Sequence, residues 1–129
     1  MKTPKKKRAK PFNANAASVK RLTDEGWTCQ IVEYRIPHCF ITKDCFGFGD
    51  ILAISPSRGT MLVQSTGGGN GPARAAKIRN EPRAGVWLAC KNRIQVHDWR
   101  QRAGQKDRVC MVLEITKQPG IVPDGSLLT

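Results

Sequence analysis

The residues best suited to chemistry lie in GDILAISPSRGTMLVQST, positions 49–66, which otherwise has the pattern of an apolar β-hairpin. We predict strands near 46–54 and 60–66, joined by a tight polar loop. Asp50 stands among apolar residues of the first strand, and Gln64 lies near the end of the second. A carboxylate beside an amide carbonyl suits a hard divalent cation such as Mg²⁺. In phosphodiester hydrolysis that cation can neutralise phosphoryl oxygens and supply a hydroxide at neutral pH.

The register of the hairpin is expected to bring these two side chains together. If the loop at 55–59 closes symmetrically, Leu52 faces Leu62. The same register puts Asp50 opposite Gln64, at the strand ends away from the turn. Opposed residues share a face, with Cβ atoms ~5 Å apart. The pattern therefore predicts two oxygen ligands side by side.

Asp50 also admits a purely structural hypothesis. A buried carboxylate is costly unless it is paired. Asp50 could therefore bond the backbone or a nearby base such as Lys43 and bind no metal. Residue types alone do not separate the two hypotheses.

The charge of the chain points to a polyanionic partner. Lysine and arginine number 22 against 10 acidic residues, for a net charge of +12, and the first ten residues hold six of these bases. The rest of the chain keeps a net charge of +6. Basic surface binds phosphates by counterion release, so nucleic acid is the expected partner. The alternative is that the charge serves only solubility.

Composition also bears on compartment and cysteine chemistry. No segment approaches the ~20 apolar residues of a membrane span, and no apolar stretch follows the basic N-terminus as in a secretory signal. We expect a cytoplasmic protein with no membrane contact. The five scattered cysteines are expected to be buried, reduced thiols. A zinc site from His38, Cys39 and Cys45 is the weaker alternative, because no CxxC pair is present.

The pattern predicts one α/β domain at 12–117, with a disordered basic arm at 1–11 and a loose tail at 118–129. The first helix should run from Asn13 to about Glu25, with Asn13 or Asn15 as its N-cap and Gly26 as its terminator. We expect the element order α-β-β-β-α-β-β-β, a mixed sheet flanked by helices. Its remaining elements are a strand at 27–36, the hairpin, a helix beginning at Pro72, and strands at 85–90, 93–99 and 109–116.

The glycine-rich segment TGGGNGPARAAK leads into the second helix. It lacks the spacing of a nucleotide-binding loop, but a helix N-terminus favours a phosphate. With Arg74, Lys77 and Arg79 it is expected to cradle one strand of DNA. The alternative is a flexible connection before a solvated basic helix. His97 is expected to be a surface or structural residue rather than a catalytic one, because adjacent strand residues point to opposite faces.

Several segments between Asn13 and Thr116 resemble the PD-(D/E)XK nuclease superfamily, which includes restriction endonucleases and archaeal-type Holliday junction resolvases. They are IVEYRI, TKDCFGFGDILAI, MLVQST and the basic helix ARAAKIRN. Within that superfamily the chain resembles small phage- and prophage-associated proteins. The resemblance implies a restriction-endonuclease-like domain, with an α-β-β-β-α-β core and extra C-terminal strands.

The resemblance also assigns roles to residues. The superfamily's catalytic aspartate falls on Asp50, and its (D/E)-x-K motif falls on the stretch from Gln64 to Thr66. Gln64 keeps a neutral carbonyl ligand, whereas Thr66 replaces a lysine that helps to position the attacking water. Some lineages carry that lysine on the following helix, where Lys77 is the first candidate and Arg74 the second.

Three further residues are candidates for the same site. Lys43, just before the hairpin, is another replacement for the missing lysine. Glu33 is expected either to add a carboxylate to the metal or to pair with a base such as Arg35. Asp44, like Glu33, is a carboxylate with either a functional or a structural role, and it could orient the loop that precedes the hairpin.

The resemblance therefore implies a DNA endonuclease or junction resolvase that depends on Mg²⁺ (or Mn²⁺) and has a divergent D-Q-x-T site. It implies double-stranded or branched DNA as substrate, the cytoplasm of a bacterial host or phage-infected cell, and a homodimer. The basic arm would help to hold DNA through Lys5, Lys6, Lys7 and Arg8. The first alternative is a catalytically inactive nucleic-acid-binding module that retains the fold. The second, an RNA- or ribosome-binding protein, explains the charge but not Asp50.

Overall fold

The computed structural model describes residues 11–38, 41–104 and 107–116. Cys39, nearly all of the predicted basic arm and the predicted C-terminal tail lie outside these residues. The predictions about them stay predictions.

A mixed five-stranded sheet with helices packed on it forms the described part of the chain. The strand order is β1-β4-β5-β6-β7; β5 and β6 are parallel, and the other neighbours are antiparallel. The predicted α/β class with a mixed central sheet is therefore confirmed. The elements, in chain order, are α1 (Ala14–Asp24), β1 (Thr28–Ile31), β2 (Tyr34–Arg35), β3 (Thr42–Lys43), β4 (Ile51–Ser55), β5 (Gly59–Gly67), α2 (Gly71–Arg79), α3 (Pro82–Ala89), β6 (Arg93–Gln101) and β7 (Arg108–Ile115).

Helix α1 begins and ends at the predicted signals. The Asn13 side chain accepts a hydrogen bond from the backbone N–H of Ala16 at 3.0 Å, which satisfies one of the free donors of the first turn. Gly26 follows the helix in the left-handed region, at φ 95°. The helix buries Leu22 and Ser18 against the sheet. Leu22 supplies apolar contact, whereas Ser18 supplies a hydroxyl whose partners are described below.

The hairpin of β4 and β5 has the predicted register, with Leu52 opposite Leu62. Its first strand starts at Ile51 rather than near position 46. The preceding residues instead form a tight turn, in which Cys45 and Gly49 exchange two backbone hydrogen bonds of 2.7 and 2.8 Å.

Two predicted strands are wrong. Residues 85–89 belong to helix α3, which Pro82 begins as its first residue, and Cys90 is its C-cap. A short apolar run does not distinguish a buried strand from a packed helix. The single strand expected at 27–36 is interrupted at Val32 and Glu33, whose N–H groups both donate to the carbonyl oxygen of Asp50. Beyond this break, β2 pairs with β3 in a separate two-stranded sheet.

The sheet buries apolar side chains on both faces, which fixes the direction of each residue in β5. Met61 and Val63 pack with Leu22 on the side of α1, whereas Leu62 packs with Ile78 on the side of α2 and α3. Side chains of a strand alternate between faces, so Gln64 follows Leu62 towards α2 and Ser65 faces α1.

The cysteines of the described residues are free, as expected for reduced thiols. Cys29, Cys45 and Cys110 are half-buried, but Cys90 is exposed after α3, so the expectation of burial is wrong for that residue. Across 11–38, 41–104 and 107–116, no helix is long and apolar enough to cross a membrane.

Candidate metal and nucleic-acid site

A pocket of about 550 Å³ opens where the start of α1, the break after β1 and the ends of β4 and β5 away from their turn come together. Three acidic side chains line it, together with amides and one guanidinium. The polar lining comprises Asn13, Asn15, Glu33, Thr42, Asp44, Asp50, Gln64, Ser65 and Arg74. The three predicted metal ligands, Glu33, Asp50 and Gln64, therefore meet at one place, together with Arg74, which was predicted to contact phosphate.

Asp50 is held rigidly at the bottom of this pocket. Its side chain is 6% exposed, and Oδ2 accepts a hydrogen bond from the N–H of Ser65 at 3.0 Å. Its own N–H donates to the carbonyl oxygen of Val63 at 2.9 Å. Its carbonyl oxygen accepts from Val32 and Glu33, so Asp50 itself turns the chain that carries the Glu33 carboxylate into the pocket.

Asp44 and Asn15 complete the arrangement. The amide nitrogen of Gln64 donates to Oδ2 of Asp44 at 3.3 Å, and the amide nitrogen of Asn15 donates to Oε2 of Glu33 at 2.7 Å. Oδ1 of Asn15 is buried and has no hydrogen-bond partner. A buried carbonyl oxygen without a donor is costly. A cation, or water bound to one, would satisfy it.

The electrostatics of the pocket favour a cation. Burial, then a hydrogen bond with the carboxyl group of Asp44, raise the pKa of Asp50 to about 8, against the lowering effect of the Ser65 N–H. The negative charges of Asp44 and Glu33 raise it further. At neutral pH Asp50 is therefore mostly protonated. A divalent cation would replace that proton and relieve the repulsion among the carboxylates.

The donor set fits Mg²⁺, since every candidate ligand offers a carboxylate or carbonyl oxygen. As the side chains stand, the described residues contain no group of three His, Cys, Asp or Glu side chains close enough to hold a metal. Binding would therefore draw the carboxylates of Asp44, Asp50 and Glu33 inwards. His38 and Cys45 likewise belong to no metal-binding group in this part of the chain, and Cys39 lies outside it.

Two candidates for the missing lysine, Lys43 and Lys77, do not line the pocket, and neither does Thr66 at the lysine's own position. Lys43 is exposed in β3, opposite Tyr34, and Lys77 is exposed on α2, three residues beyond Arg74. Thr66 is half-buried on β5, one step past the pocket-lining Ser65. Arg74 is the basic side chain that the described structure places in the pocket lining.

The glycine-rich loop does not offer free donors to a phosphate. The N–H groups of Gly69 and Gly71 donate to the two oxygens of Asp98 at 3.2 and 3.0 Å, and Arg100 donates to the same carboxylate at 3.0 Å. Burial opposes ionisation, but the Gly71 N–H, the Arg100 guanidinium and the Gly69 N–H outweigh it and lower the pKa of Asp98. A carboxylate of the protein thus occupies the start of α2, so the predicted loop cradle is wrong. Arg74, Lys77 and Arg79 remain exposed on the helix.

The close approach of Gly71 to Asp98, compared with the open space at Gly85, predicts opposite effects for two Gly→Ala substitutions. A Cβ on Gly71 would lie 2.8 Å from Cβ of Asp98, whereas a Cβ on Gly85, inside α3, meets nothing within 4 Å. We expect Gly71→Ala to lower the free energy of unfolding by about 1–3 kcal/mol. Gly85→Ala should raise it by roughly 0.5–1 kcal/mol, because alanine costs less backbone entropy in a helix. Urea unfolding of both variants measures the difference, and equal effects would contradict the close contact at Gly71.

His97 lies in a buried polar network rather than at the surface, so the structural alternative is the one confirmed. Ser18 Oγ accepts from the hydroxyl of Ser65 at 2.8 Å and from the indole N–H of Trp99 at 2.9 Å. Its own proton therefore goes to Nδ1 of His97, at 2.9 Å, and Nε2 of His97 donates to Gln95 at 3.0 Å. Every polar atom in this chain of contacts is paired.

The protonation state of His97 follows from this setting. Burial, then the positive charge of Arg21, lower the pKa of His97 to about 4, although Glu114 opposes the shift. His97 is therefore neutral at physiological pH. It links α1 to β6, and it has no access to a substrate.

Comparison of the chain with protein-family models, with curated proteins and with solved structures finds no match. The class that the structure defines is therefore an α/β domain with a mixed five-stranded sheet and an acidic pocket at the ends of two strands.

Proposed function

We propose that this protein is a Mg²⁺-dependent DNA nuclease of the PD-(D/E)XK type, with Mn²⁺ as an alternative metal. The observation that carries the proposal is the convergence of Glu33, Asp44 and Asp50 in one pocket of a chain whose net charge is +12. A cluster of carboxylates repels phosphate, whereas the positive charge of the rest of the protein attracts it. A metal bridging carboxylates and phosphate resolves that conflict.

Each residue of the pocket has a role in this proposal. Asp50, Asp44 and Glu33 would hold the cation by their carboxylates, and Gln64 and Asn15 would add carbonyl oxygens. When bound, Mg²⁺ would neutralise the phosphoryl oxygens and activate the attacking water. The Ser65 N–H keeps Asp50 oriented, so the first ligand is fixed before the metal arrives.

Arg74 takes the place of the missing lysine in this proposal. Arg74 lines the pocket that the phosphate would enter, and a charged donor there would stabilise negative charge as it develops. Arginine stays protonated, so it would act by binding the phosphate rather than by moving a proton.

A pair of substitutions on α2 tests the function and this role together. We expect purified protein to cut plasmid or branched DNA only when Mg²⁺ or Mn²⁺ is present. Arg74→Gln should lower the cleavage rate about 100-fold, whereas Lys77→Gln should lower it no more than severalfold through weaker DNA binding. Both change one exposed charge on the same helix, so each controls for the other. Equal cleavage rates for the two variants would show that Arg74 has no special role in the chemistry of the pocket.

The second candidate function is a catalytically inactive nucleic-acid-binding module. Thr66 in place of the lysine favours it, and so does Gln64, whose amide nitrogen rather than its oxygen points at Asp44. This candidate expects salt-sensitive DNA binding without cleavage in any metal.

The proposal also covers the contacts to DNA, the oligomeric state and the cellular compartment. DNA would be held by Arg74 and by the basic exposed side chains Lys77 and Arg79 of α2. The N-terminal arm (Lys5, Lys6, Lys7 and Arg8) would add contacts to phosphates. We further propose a homodimer that acts in the cytoplasm of a bacterial host or phage-infected cell.

A further inference from the structure

Strand β7 forms one edge of the five-stranded sheet in the part of the chain that the structure describes. On its inner side it pairs with β6, one residue to one along its whole length, without a bulge. Along its outer side, no strand within 11–38, 41–104 and 107–116 pairs with it. That side presents a row of backbone N–H and C=O groups, to which a further strand can pair.

The middle of this edge strand is apolar and partly exposed. Positions 109–113 read VCMVL, and within them Met111 is 46% exposed and Val112 is 38% exposed. Leu113 packs with the core cluster on the side of α2 and α3. Because strand residues alternate between faces, Met111 lies on that same side and Val112 on the side of α1. The edge therefore exposes an apolar side chain on each face of the sheet.

None of the usual protections of an edge strand is present in β7. Natural proteins protect such edges with short strands, proline, lysine or a bulge. β7 is eight residues long, contains neither proline nor lysine, and is regular throughout. The edge strand on the opposite side of the sheet, β1, is only four residues long. The outer edge of β7 is therefore the one suited to a further strand.

The sequence of β7, RVCMVLEI, is complementary to itself in one antiparallel register. A second copy of β7, paired about Met111, would place Met111 opposite Met111, Cys110 opposite Val112, Val109 opposite Leu113, and Arg108 opposite Glu114. Opposed residues share a face of the sheet and contact each other. Every apolar side chain then meets an apolar one, and each charge meets its opposite. A register centred on Cys110 would instead place Arg108 opposite Val112.

The two charged residues set the direction of pairing more than its strength. The Arg108 guanidinium lies 4.1 Å from the centroid of the Phe12 ring, and Glu114 pairs with Arg93 at 2.9 Å in its own chain. Both side chains stay at the surface, where an ion pair contributes little. Parallel pairing in register would place like charges side by side, which is unfavourable. The affinity would come from the backbone hydrogen bonds and the apolar side chains.

The C-terminal segment 117–129 is the other candidate to cover this edge, and its sequence suits a strand poorly. It reads KQPGIVPDGSLLT, with Pro119 and Pro123 only three residues apart from each other by sequence count of the residues between them. Proline cannot donate a hydrogen bond to a strand ladder, and aspartate and glycine, which follow Pro123, are rare in strands. A second copy of β7 offers a longer partner without these interruptions.

We infer that a second copy of this chain pairs with the outer edge of β7, antiparallel and centred on Met111, so that two sheets join into one. Such an interface has two-fold symmetry and uses the same surface of both copies. The inference rests on the proposed function in one respect, because it gives an interface to the homodimer proposed there. None of the described residues that line the pocket belongs to β7. The dimer can therefore be tested separately from the chemistry of the pocket.

Sedimentation equilibrium of the full chain, without DNA or metal, tests the interface. We expect wild type to dimerise reversibly. Met111→Lys should raise the dissociation constant of the dimer by about a hundredfold, because it places two like charges against each other at the two-fold axis. Ile54→Lys is the matched control, because Ile54 is 48% exposed but lies on β4, which has a neighbouring strand on each side. It should leave the dissociation constant unchanged.

Disulfide cross-linking tests the register. Met111→Cys should form a disulfide between two copies under mild oxidation, because opposed Cβ atoms lie ~5 Å apart. Val112→Cys should cross-link to the native Cys110 of the second copy, and the cross-link should disappear when Cys110→Ser is added. Ile54→Cys should give no cross-linked dimer on a non-reducing gel.

Three results would overturn the inference. The first is a wild type that stays monomeric at every concentration, and slow hydrogen exchange of all β7 amides in that monomer would show that another segment of the chain covers the edge. The second is a dimer that Met111→Lys does not weaken, and the third is a dimer in which neither introduced thiol cross-links; both would place the interface elsewhere. A monomer that cuts DNA with Mg²⁺ would leave the proposed nuclease standing, whereas a dimer through β7 that cuts no DNA would leave the interface standing.

Discussion

Replacement of Asp50 by asparagine is expected to reduce metal-dependent DNA cleavage by about a thousandfold, because a metal ligand supplies several kcal/mol of transition-state stabilisation. Asparagine has the same shape, and its Oδ1 can still accept the hydrogen bond that Ser65 donates at 3.0 Å. The substitution therefore removes one negative charge from the pocket and leaves the backbone in place. Cleavage of supercoiled plasmid and of flapped DNA, measured as initial rates in Mg²⁺ and in Mn²⁺, gives the comparison.

Asp24→Asn is the matched control for this experiment. Asp24 is an exposed carboxylate that pairs with Lys20 at 3.2 Å, and it lies at the end of α1 opposite to the one that lines the pocket. Its removal should change the cleavage rate by no more than twofold. Activity that survives in Asp50→Asn and resists EDTA would show that the pocket is not the site of cleavage.

The same substitution is expected to stabilise the metal-free protein, by about 2–4 kcal/mol at neutral pH. The folded protein holds the pKa of Asp50 at about 8, above the value of 3.8 for an unperturbed aspartate. Between these two values the folded state binds more protons than the unfolded state. The free energy of unfolding therefore decreases as the pH rises through this range, and it levels off above about pH 8. Asparagine does not titrate, so the free energy of unfolding of Asp50→Asn does not decrease in this way.

Urea unfolding in EDTA, at several values between about pH 4 and 9, measures the effect. The stability difference between Asp50→Asn and wild type should be small at the acid end and should grow with pH. Added Mg²⁺ should then stabilise wild type and leave the variant unaffected, because ligands stabilise the state that binds them. A difference that is constant across the pH range would mean that Asp50 is not a crowded, protonated carboxyl.

Local signals were sufficient to predict much of the framework. Asn13 and Gly26 delimit α1 by capping chemistry that depends only on neighbouring residues. The alternation of β4 and β5 fixed their register because a shift by one residue would turn Leu62 to the wrong face. Asp50 and Gln64 follow from the same register, and both line the pocket.

The elements that were missed depend on contacts between distant residues. The apolar run at 85–90 forms a helix because β5 and β6 pair in parallel, and a parallel pair needs a crossover. The break after β1 exists because the carbonyl oxygen of Asp50 accepts two N–H groups there. No pattern within either segment carries that information.

The residues of the site also divide into those that local patterns predicted and those that only the fold brings together. Glu33 and Asp44 had been assigned only secondary roles, and Asn15 was considered only as a helix cap, yet all three line the pocket. The signal that would have favoured Asn15 is its place in the first turn of a helix whose start faces the hairpin. The hydrogen bonds from the glycine-rich loop to Asp98 could not be predicted from the sequence, because Asp98 lies on β6 and only the fold brings it to the loop.

The central claim is that the pocket binds a divalent cation, and a calorimetric titration of metal-free protein with Mg²⁺ tests it most directly. Runs in two buffers of different ionisation enthalpy, near neutral pH, report both the affinity and the protons released. We expect wild type to bind Mg²⁺ and to release about one proton, because Asp50 must give up its proton to the metal. Asp50→Asn should show neither. Absence of Mg²⁺ binding by wild type, or equal binding with equal proton release in Asp50→Asn, would contradict the account.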